Sequence, residues 1–69
     1  MSPEQCRMAR GALNWSIKEL AEQSGLTSNT IVTFEYGHTV RDLTVSCIKT
    51  AFEQRGIRFT ETGVEVEKT

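Results

Sequence analysis

Apolar residues along the chain follow two different spacings, one typical of helices and one typical of strands. Over residues 1–56 they recur every three to four positions, which predicts four helices, with helix 1 beginning near Pro3 and helix 4 covering about residues 43–55. After Gly56 the spacing changes to two, because apolar residues alternate with polar ones on both sides of the stretch ETG. The alternating apolar residues of this tail are Ile57, Phe59, Val64 and Val66. Alternation around a short turn is typical of a β-hairpin.

Capping residues predict the limits of the two short helices in the middle of the chain. A capping-box pattern that starts at Ser16 predicts helix 2 over about residues 16–23, and Gly25 can take the positive φ that ends a helix. Thr27 is the predicted cap of helix 3, which covers about residues 27–36. Two helices joined by only three residues must cross steeply, so this region meets the physical requirements of a helix-turn-helix.

Length and composition indicate one small globular chain. It has 69 residues, of which 38% are hydrophobic and 25% charged, a balance typical of soluble proteins. No apolar run approaches the roughly 20 residues of a membrane helix, and the N-terminus has no apolar stretch of signal-peptide length. We therefore expect a cytoplasmic protein with no membrane contact, divided into a helical domain over residues 1–56 and a tail over residues 57–69.

Residues that support catalysis or metal binding are scarce in the chain. Cys6, Cys47 and the single histidine, His38, lie far apart, whereas a structural zinc site needs about four nitrogen or sulfur ligands. We expect no metal and no cofactor, and we expect both cysteines to be small buried apolar residues. No pair of carboxylates, no Ser/His/Asp set and no glycine-rich phosphate loop stands out. The sequence therefore predicts a protein that is not an enzyme.

The middle of the chain resembles a known family of regulators. From Arg10 to Asp42 it is similar to the Cro/CI-type (XRE) helix-turn-helix family of phage and bacterial proteins. The matching text is LNWSIKELAEQSGLTSNTIVTFEYGHT, with W-S-x-x-x-L-A, G-L-T, T-I and F-E-x-G in the places they have in the family. The resemblance covers about half of the chain. It implies a mostly α, lambda-repressor-like fold of four helices, here followed by a short C-terminal β-hairpin or strand.

The resemblance also implies that helix 3 contacts double-stranded DNA. The start of this recognition helix is where the family contacts bases and phosphates, the next turn continues the same face, and the loop after the helix grips phosphate. The residues of this chain in and beside those places are Thr27, Ser28, Asn29, Val32, Thr33, Tyr36 and Arg41. The alternative for Ser28, Asn29 and Thr33 is plain solvent exposure. Val32 is either a contact to a thymine methyl or a partly buried rim position.

Three further positions affect how the resemblance applies to this chain. Arg10 and Glu35 occupy places that form an internal salt bridge in many members, which would tie helix 1 to the end of helix 3. Ile17 stands where the family often has Gln, and this departure removes a polar DNA contact. Either an added apolar contact or weaker DNA binding would follow from it.

The charge balance limits how strongly a single copy can bind a polyanion. The net charge is −1, and residues 1–50 carry five basic and five acidic side chains. If the predicted salt bridge occupies one of these cations, phosphate binding depends on Lys18 and Arg41, with Arg7 or Lys49 as further candidates. Backbone N–H groups at the N-termini of helices 2 and 3 add phosphate donors. His38 is a further candidate for a phosphate contact, or a plain loop residue. We therefore expect weak binding by a monomer, and a homodimer on DNA.

The predicted hairpin offers a surface for such a dimer. A lone two-stranded hairpin is marginally stable, and its open edge invites pairing with the same strand of another copy. The residues predicted to build or support the interface are Ile57, Phe59, Val64 and Val66. The alternative is a hairpin that folds onto its own helix 4.

These features together predict a homodimeric transcriptional regulator that binds a palindromic operator through the major groove, most simply a phage-type repressor or autorepressor. A first alternative is an antitoxin or accessory module whose tail binds a partner protein, with DNA binding secondary. A second is a helical adaptor that kept the fold and lost DNA binding.

Overall fold

The computed structural model describes residues 1–67; residues 68 and 69 of the predicted tail lie outside the described part of the chain. The fold is mostly helical and ends in an antiparallel hairpin, as the sequence predicts. The elements are α1 Pro3–Leu13, α2 Ile17–Ser24, α3 Ser28–Glu35, α4 Asp42–Glu53, β1 Ile57–Phe59 and β2 Val64–Val66. None of the helices within residues 1–67 is long and apolar enough to cross a membrane.

Side-chain caps define the starts of the first three helices. The hydroxyl of Ser2 accepts the N–H of Gln5, and the hydroxyl of Ser16 accepts the N–H of Glu19; in both pairs the N3 side chain returns a bond to the cap. Thr27 likewise accepts a backbone N–H from the first turn of α3. Because each cap lies just outside its helix, α2 and α3 begin one residue later than predicted.

Backbone turns define where the helices end. Gly25 has φ +76° at the end of α2, the left-handed conformation that its position in the sequence predicts. α1 ends the same way at Asn14, with φ +56°, a position that no pattern in the sequence predicts as its end. α4 is shifted from its predicted limits, because it begins at Asp42 and its last residues give way to a turn that closes at Gly56.

One hydrophobic core holds the helices and the hairpin together. Its buried apolar members are Cys6, Ala9, Leu20, Ala21, Ile31, Phe34, Ile48, Ala51, Phe52 and Ile57. The ring of Phe52 lies at the centre, stacked on Trp15 with centroids 5.7 Å apart and edge-on to Phe59 at 6.0 Å. Cys47, in contrast, is only partly buried, so the prediction of two buried cysteines holds for Cys6 alone.

The hairpin packs on its own chain, with β1 against α4 and β2 against α1. Its register pairs Ile57 with Val66 and Phe59 with Val64, so these four side chains share the face that is turned toward the helices. Ile57 is 1% exposed, and Phe59 and Val64 pack against the core. Because its own domain already buries Ile57, this side chain can only support a dimer interface from within the hairpin, and the interface itself stays a prediction. The alternative, a hairpin folded onto α4, is the arrangement of this structure.

The side chain of Gln5 links the hairpin turn to the start of α1 by hydrogen bonds. The amide nitrogen of Gln5 donates to the carbonyl oxygens of Thr60, at 2.5 Å, and Gly63, at 3.0 Å, while its oxygen accepts the N–H of Ser2. Every polar atom of this buried amide therefore has a partner. Residues 1–56 and the described part of the tail, residues 57–67, therefore share one core and are linked by these Gln5 hydrogen bonds.

Candidate nucleic-acid interface

The outer face of α3 forms a ridge of small polar and apolar side chains. Ser28 and Asn29 are exposed at its start, Val32 and Thr33 are partly buried in its middle, and Tyr36 is 79% exposed just beyond its end. Ile31 and Phe34, on the opposite side, are buried in the core. Because the buried side fixes the rotation of the helix, the ridge is the part of α3 that an outside molecule can touch.

Most hydroxyl groups on this helix already have a partner within the chain. The Thr27 hydroxyl accepts the backbone N–H of Thr30 and lies 2.9 Å from the Thr30 hydroxyl. The Thr33 hydroxyl donates to the carbonyl oxygen of Asn29 at 2.9 Å. Within residues 1–67, the side chains of Ser28 and Asn29 have no such partner. Their polar groups, together with the exposed hydroxyl of Tyr36, remain free for a ligand.

An open groove of about 670 Å³ runs between α3 and the start of α4. The side chains that line it are Asn29, Thr30, Thr33, Thr39, Val40, Arg41, Asp42 and Thr44. Two predicted base-contacting residues, Asn29 and Thr33, thus line the same open groove as the predicted phosphate contact, Arg41. The other predicted DNA contacts do not line this groove: Thr27, Ser28, Lys18 and His38 are exposed elsewhere, and Val32 and Tyr36 line a second pocket.

The beginning of α4 adds a polar backbone edge to the groove. Arg41 is the N-cap residue of α4, and its side chain makes no capping hydrogen bond. Helix N-termini carry partial positive charge and unpaired N–H groups, which favour anions. The carboxylate of Asp42 in the same turn partly offsets this field.

A second, smaller pocket of about 220 Å³ lies on the other flank of the α3 ridge. It is lined by Arg7, Ile17, Val32, Glu35 and Tyr36. Ile17, at the start of α2, therefore meets Val32 across an apolar depression. Val32 is partly buried and partly exposed here, so both alternatives that the sequence left open for it remain. Ile17 supplies it with an apolar neighbour in place of a polar side chain.

The predicted salt bridge between Arg10 and Glu35 is present and bidentate. Arg10 Nε donates to Glu35 Oε2 at 2.7 Å and Arg10 Nη2 donates to Oε1 at 2.8 Å. Two neighbours that the sequence did not suggest join it: the Cys6 thiol donates to Oε2 at 3.1 Å, and Arg7 donates to the Glu35 carbonyl oxygen. This cluster fixes the last turn of α3 to α1 and so sets the angle at which the ridge is presented.

The charges in this cluster stabilise one another. Burial opposes the charge of Glu35, but hydrogen bonds from Arg10 and Cys6, with the positive charges of Arg10 and Arg7, outweigh it and lower the pKa of the carboxyl group. The hydrogen bond to Glu35 raises the pKa of Arg10 in return. Burial, followed by the hydrogen bond to Glu35, raises the pKa of the Cys6 thiol, which therefore stays protonated as a donor.

The remaining cations divide into paired and free groups. Arg58 lies 3.3 Å from Glu65 on the outer face of the hairpin, Arg7 lies 3.7 Å from Glu4, and the Arg55 guanidinium lies over the Trp15 ring. Among the described residues, Lys18, Arg41 and Lys49 have no ion-pair partner. The charge available to a phosphate backbone therefore lies on the α2 start, the α3–α4 loop and α4.

Comparison with protein-family models and with curated proteins identified no relative of this chain. The chain matches no protein-family model, and a search of curated proteins found no significant match. No group of three or more His, Cys, Asp or Glu side chains that could hold a metal ion occurs in residues 1–67. A functional assignment therefore depends on the chain's own residues and their geometry.

Proposed function

We propose that this protein is a sequence-specific regulator of the Cro/CI type, which binds double-stranded DNA through the major groove. The α3 ridge enters the major groove of the DNA, with Asn29 and Ser28 at the base edges, while Arg41 binds the phosphate backbone. The observation that carries the proposal is the groove lined by Asn29, Thr33 and Arg41, because it combines base-reading and phosphate-binding groups on one surface.

Local charge supports the proposal although the net charge is −1. Glu35, the acidic residue nearest to the ridge on α3, is neutralised by Arg10 and directed into the protein. Arg41 and Lys18 remain free on the exposed side, within the described residues. Phosphate binding depends on the local field at such positions more than on the total charge.

The size of the molecule favours binding as a dimer. It measures 31 × 24 × 18 Å, so one copy can place one recognition helix in one half-site. A second half-site one DNA turn away, at about 34 Å, requires a second copy. Repression would follow if the dimer occupies an operator and excludes polymerase.

The exposed edge of the hairpin is the surface that we assign to the second copy. Backbone bonds from Thr60 to Gly63 and from Glu67 to Gly56 identify the hydrogen-bonded pairs of the ladder. By alternation, the N–H and C=O groups of Val64 and Val66 point away from β1. The side chain of Val66 is 47% exposed beside this edge. An unpaired strand edge with an apolar side chain favours pairing with another strand.

An electrophoretic shift series with DNA from the protein's own upstream region tests DNA binding. We expect a salt-sensitive shift at micromolar protein or below, and Arg41→Ala should weaken binding to all sequences and flatten the salt dependence. Arg58→Ala is the matched control, because it removes the same charge from the far side of the hairpin. If no duplex shifts at tens of micromolar, or if the two arginine variants behave alike, the proposal fails.

Substituting a charged side chain at the edge of β2 tests whether this edge forms the dimer. Removing residues 57–69 would also remove Ile57 and Phe59 from the core, so deletion cannot separate dimerisation from folding. Val66→Lys should shift sedimentation toward monomer, whereas Thr62→Lys, which places the same charge at the hairpin turn, should not. Equal dimer content in both variants and the wild type would exclude this edge as the interface.

The same edge supports a second candidate function. An accessory or antitoxin-like protein would use the β2 edge to bind a partner protein instead of a second copy. A chain that stays monomeric at high concentration but co-purifies with a defined second protein, and loses it in Val66→Lys, would favour this candidate.

A further inference from the structure

The ridge of α3 lacks the side chains that recognise guanine best. No Lys or Arg occurs between Ser28 and Glu35. Guanine presents two acceptors, O6 and N7, in the major groove, and the commonest specific contact to them is a bidentate bond from Arg or Lys. Among the described residues that line the groove, the free cation is Arg41, which is the N-cap residue of α4 and not part of the ridge. We assign it to the phosphate backbone.

Asn29 offers a different kind of base contact. Its side chain is exposed, and within residues 1–67 its amide has no hydrogen-bond partner. A primary amide combines one donor and one acceptor group, which match the N7 acceptor and N6 donor of adenine in a bidentate pair. The Ser28 hydroxyl beside it suits any base. Within residues 1–67, Asn29 is therefore the free polar side chain on the ridge with the strongest base preference, and that preference is for adenine.

Methyl groups provide the rest of the contact surface. The Thr33 hydroxyl is committed to the Asn29 carbonyl, so its methyl is the group left for an outside contact. Val32, one position before it, contributes only methyl groups and is partly exposed. Thymine is the base that carries a C5-methyl in the major groove, and apolar side chains recognise it there.

We propose that the α3 ridge selects A·T over G·C base pairs at the centre of each half-site. Asn29 reads adenine, and the methyl groups of Thr33 and Val32 contact thymine. This inference rests on the proposed DNA binding and adds the class of sequence that the protein prefers.

Selection from a pool of random duplexes tests the preference directly. After several rounds of binding at moderate salt, we expect a motif whose central half-site positions are A·T pairs. In Asn29→Ala the adenine preference at one of these positions should fall by about 5- to 150-fold. A motif with guanine at these positions, lost in Arg41→Ala, would overturn the inference and assign base reading to Arg41. Failure to bind any duplex would instead end the proposed function, and the inference with it.

Base analogues and a pair of Thr33 variants test the methyl contacts. Replacing thymine by deoxyuracil at the selected positions removes only the C5-methyl and should weaken wild-type binding by about 4-fold per buried methyl. Thr33→Ser keeps the hydroxyl and loses the methyl, so it should lose this sensitivity at one position. Thr33→Val keeps the methyl and loses the hydroxyl, so this variant should retain the sensitivity to replacement of thymine by deoxyuracil. If the wild type binds thymine and deoxyuracil duplexes equally, the methyl contacts are excluded.

A variant away from the groove controls for folding. Thr50→Ala changes an exposed hydroxyl on the other side of α4, and it should bind every duplex as the wild type does. Circular dichroism of the Asn29 and Thr33 variants should match the wild type, because their side chains are outside the core. A loss of sequence preference with an unchanged spectrum then reports on base contact alone.

Discussion

Glu35 shows at the scale of a single residue how this small protein tolerates a buried charge. It is 8% exposed, yet its carboxylate receives two bonds from Arg10 and one from Cys6, and Arg7 bonds its carbonyl oxygen. A buried carboxylate without such partners would be strongly destabilising. The cluster thus links α1 to the last turn of α3, and it does so next to the surface that we assign to DNA.

The lowered pKa of Glu35 predicts a specific dependence of stability on pH. The folded-state pKa lies below that of the unfolded chain, which is roughly 4.3. The contribution of Glu35 is therefore fully present above that pH and is lost as the pH falls through the folded-state value. In urea unfolding, the stability advantage of the wild type over Glu35→Gln should shrink on acidification below about pH 5.

A second carboxylate provides the control for that measurement. Glu65→Gln, at an exposed pair on the hairpin, should differ from the wild type by less than about 1 kcal/mol at every pH. Parallel curves for the wild type and Glu35→Gln would show that the Arg10 pair does not stabilise the fold.

At the scale of elements, the α2-turn-α3 unit depends on three local devices. Ser16 caps α2, Gly25 reverses the chain and Thr27 caps α3. Each acts over one to three residues, so each is encoded in the local sequence. Between them, the two helices bury Leu20, Ala21 and Ile31 and leave the ridge outside.

Two glycines give a matched test of the turn. Gly25 has positive φ, where an added Cβ is strained by about 1–2 kcal/mol. Gly11 lies within α1, and a Cβ built there meets no atom within 4 Å. Gly25→Ala should therefore lower the melting temperature, whereas Gly11→Ala should raise stability by about 0.5–1 kcal/mol. Calorimetry checks both, and a stabilised Gly25→Ala would contradict the role given to the turn.

At the scale of the whole molecule, the hairpin completes the core. Ile57 is buried inside the core, Phe59 lies edge-on to Phe52, and Gln5 hydrogen-bonds the hairpin turn. A chain of this size has little buried surface to lose. The helices therefore depend on the hairpin for stability.

Truncating side chains of the hairpin tests this dependence. Ile57→Ala should lower the free energy of unfolding by about 2–5 kcal/mol, because it leaves a cavity in the core. Val66→Ala removes the same kind of group from a half-exposed position and should cost less than about 1 kcal/mol. Urea unfolding followed by circular dichroism measures both. Equal effects would mean that the hairpin does not share the core.

The residues that bring the candidate site together differ in how far the sequence reveals them. Asn29, Thr33 and Arg41 were predicted as contacts, and the structure brings them to one groove. Thr30, Thr39 and Thr44 also line it, but nothing in the sequence distinguishes them from other surface threonines. Likewise, the capping box of Ser2 and Gln5 joins residues three positions apart. The bonds from Gln5 to Thr60 and Gly63 join residues 55 and 58 positions apart, so they leave no local signal in the sequence.

The sequence by itself determined the four helices, the caps at Ser16 and Thr27, the turn at Gly25 and the hairpin. Those features depend on bonds between residues about three apart, or on the period of apolar positions, and both are written along the chain. Tertiary structure alone decided that Ile57 is core, that Cys6 and Arg7 join the Arg10–Glu35 pair, and that Arg41 and Asn29 line one groove. Such contacts join residues far apart in the chain, and they exist only once the helices have crossed at particular angles and excluded water from between them.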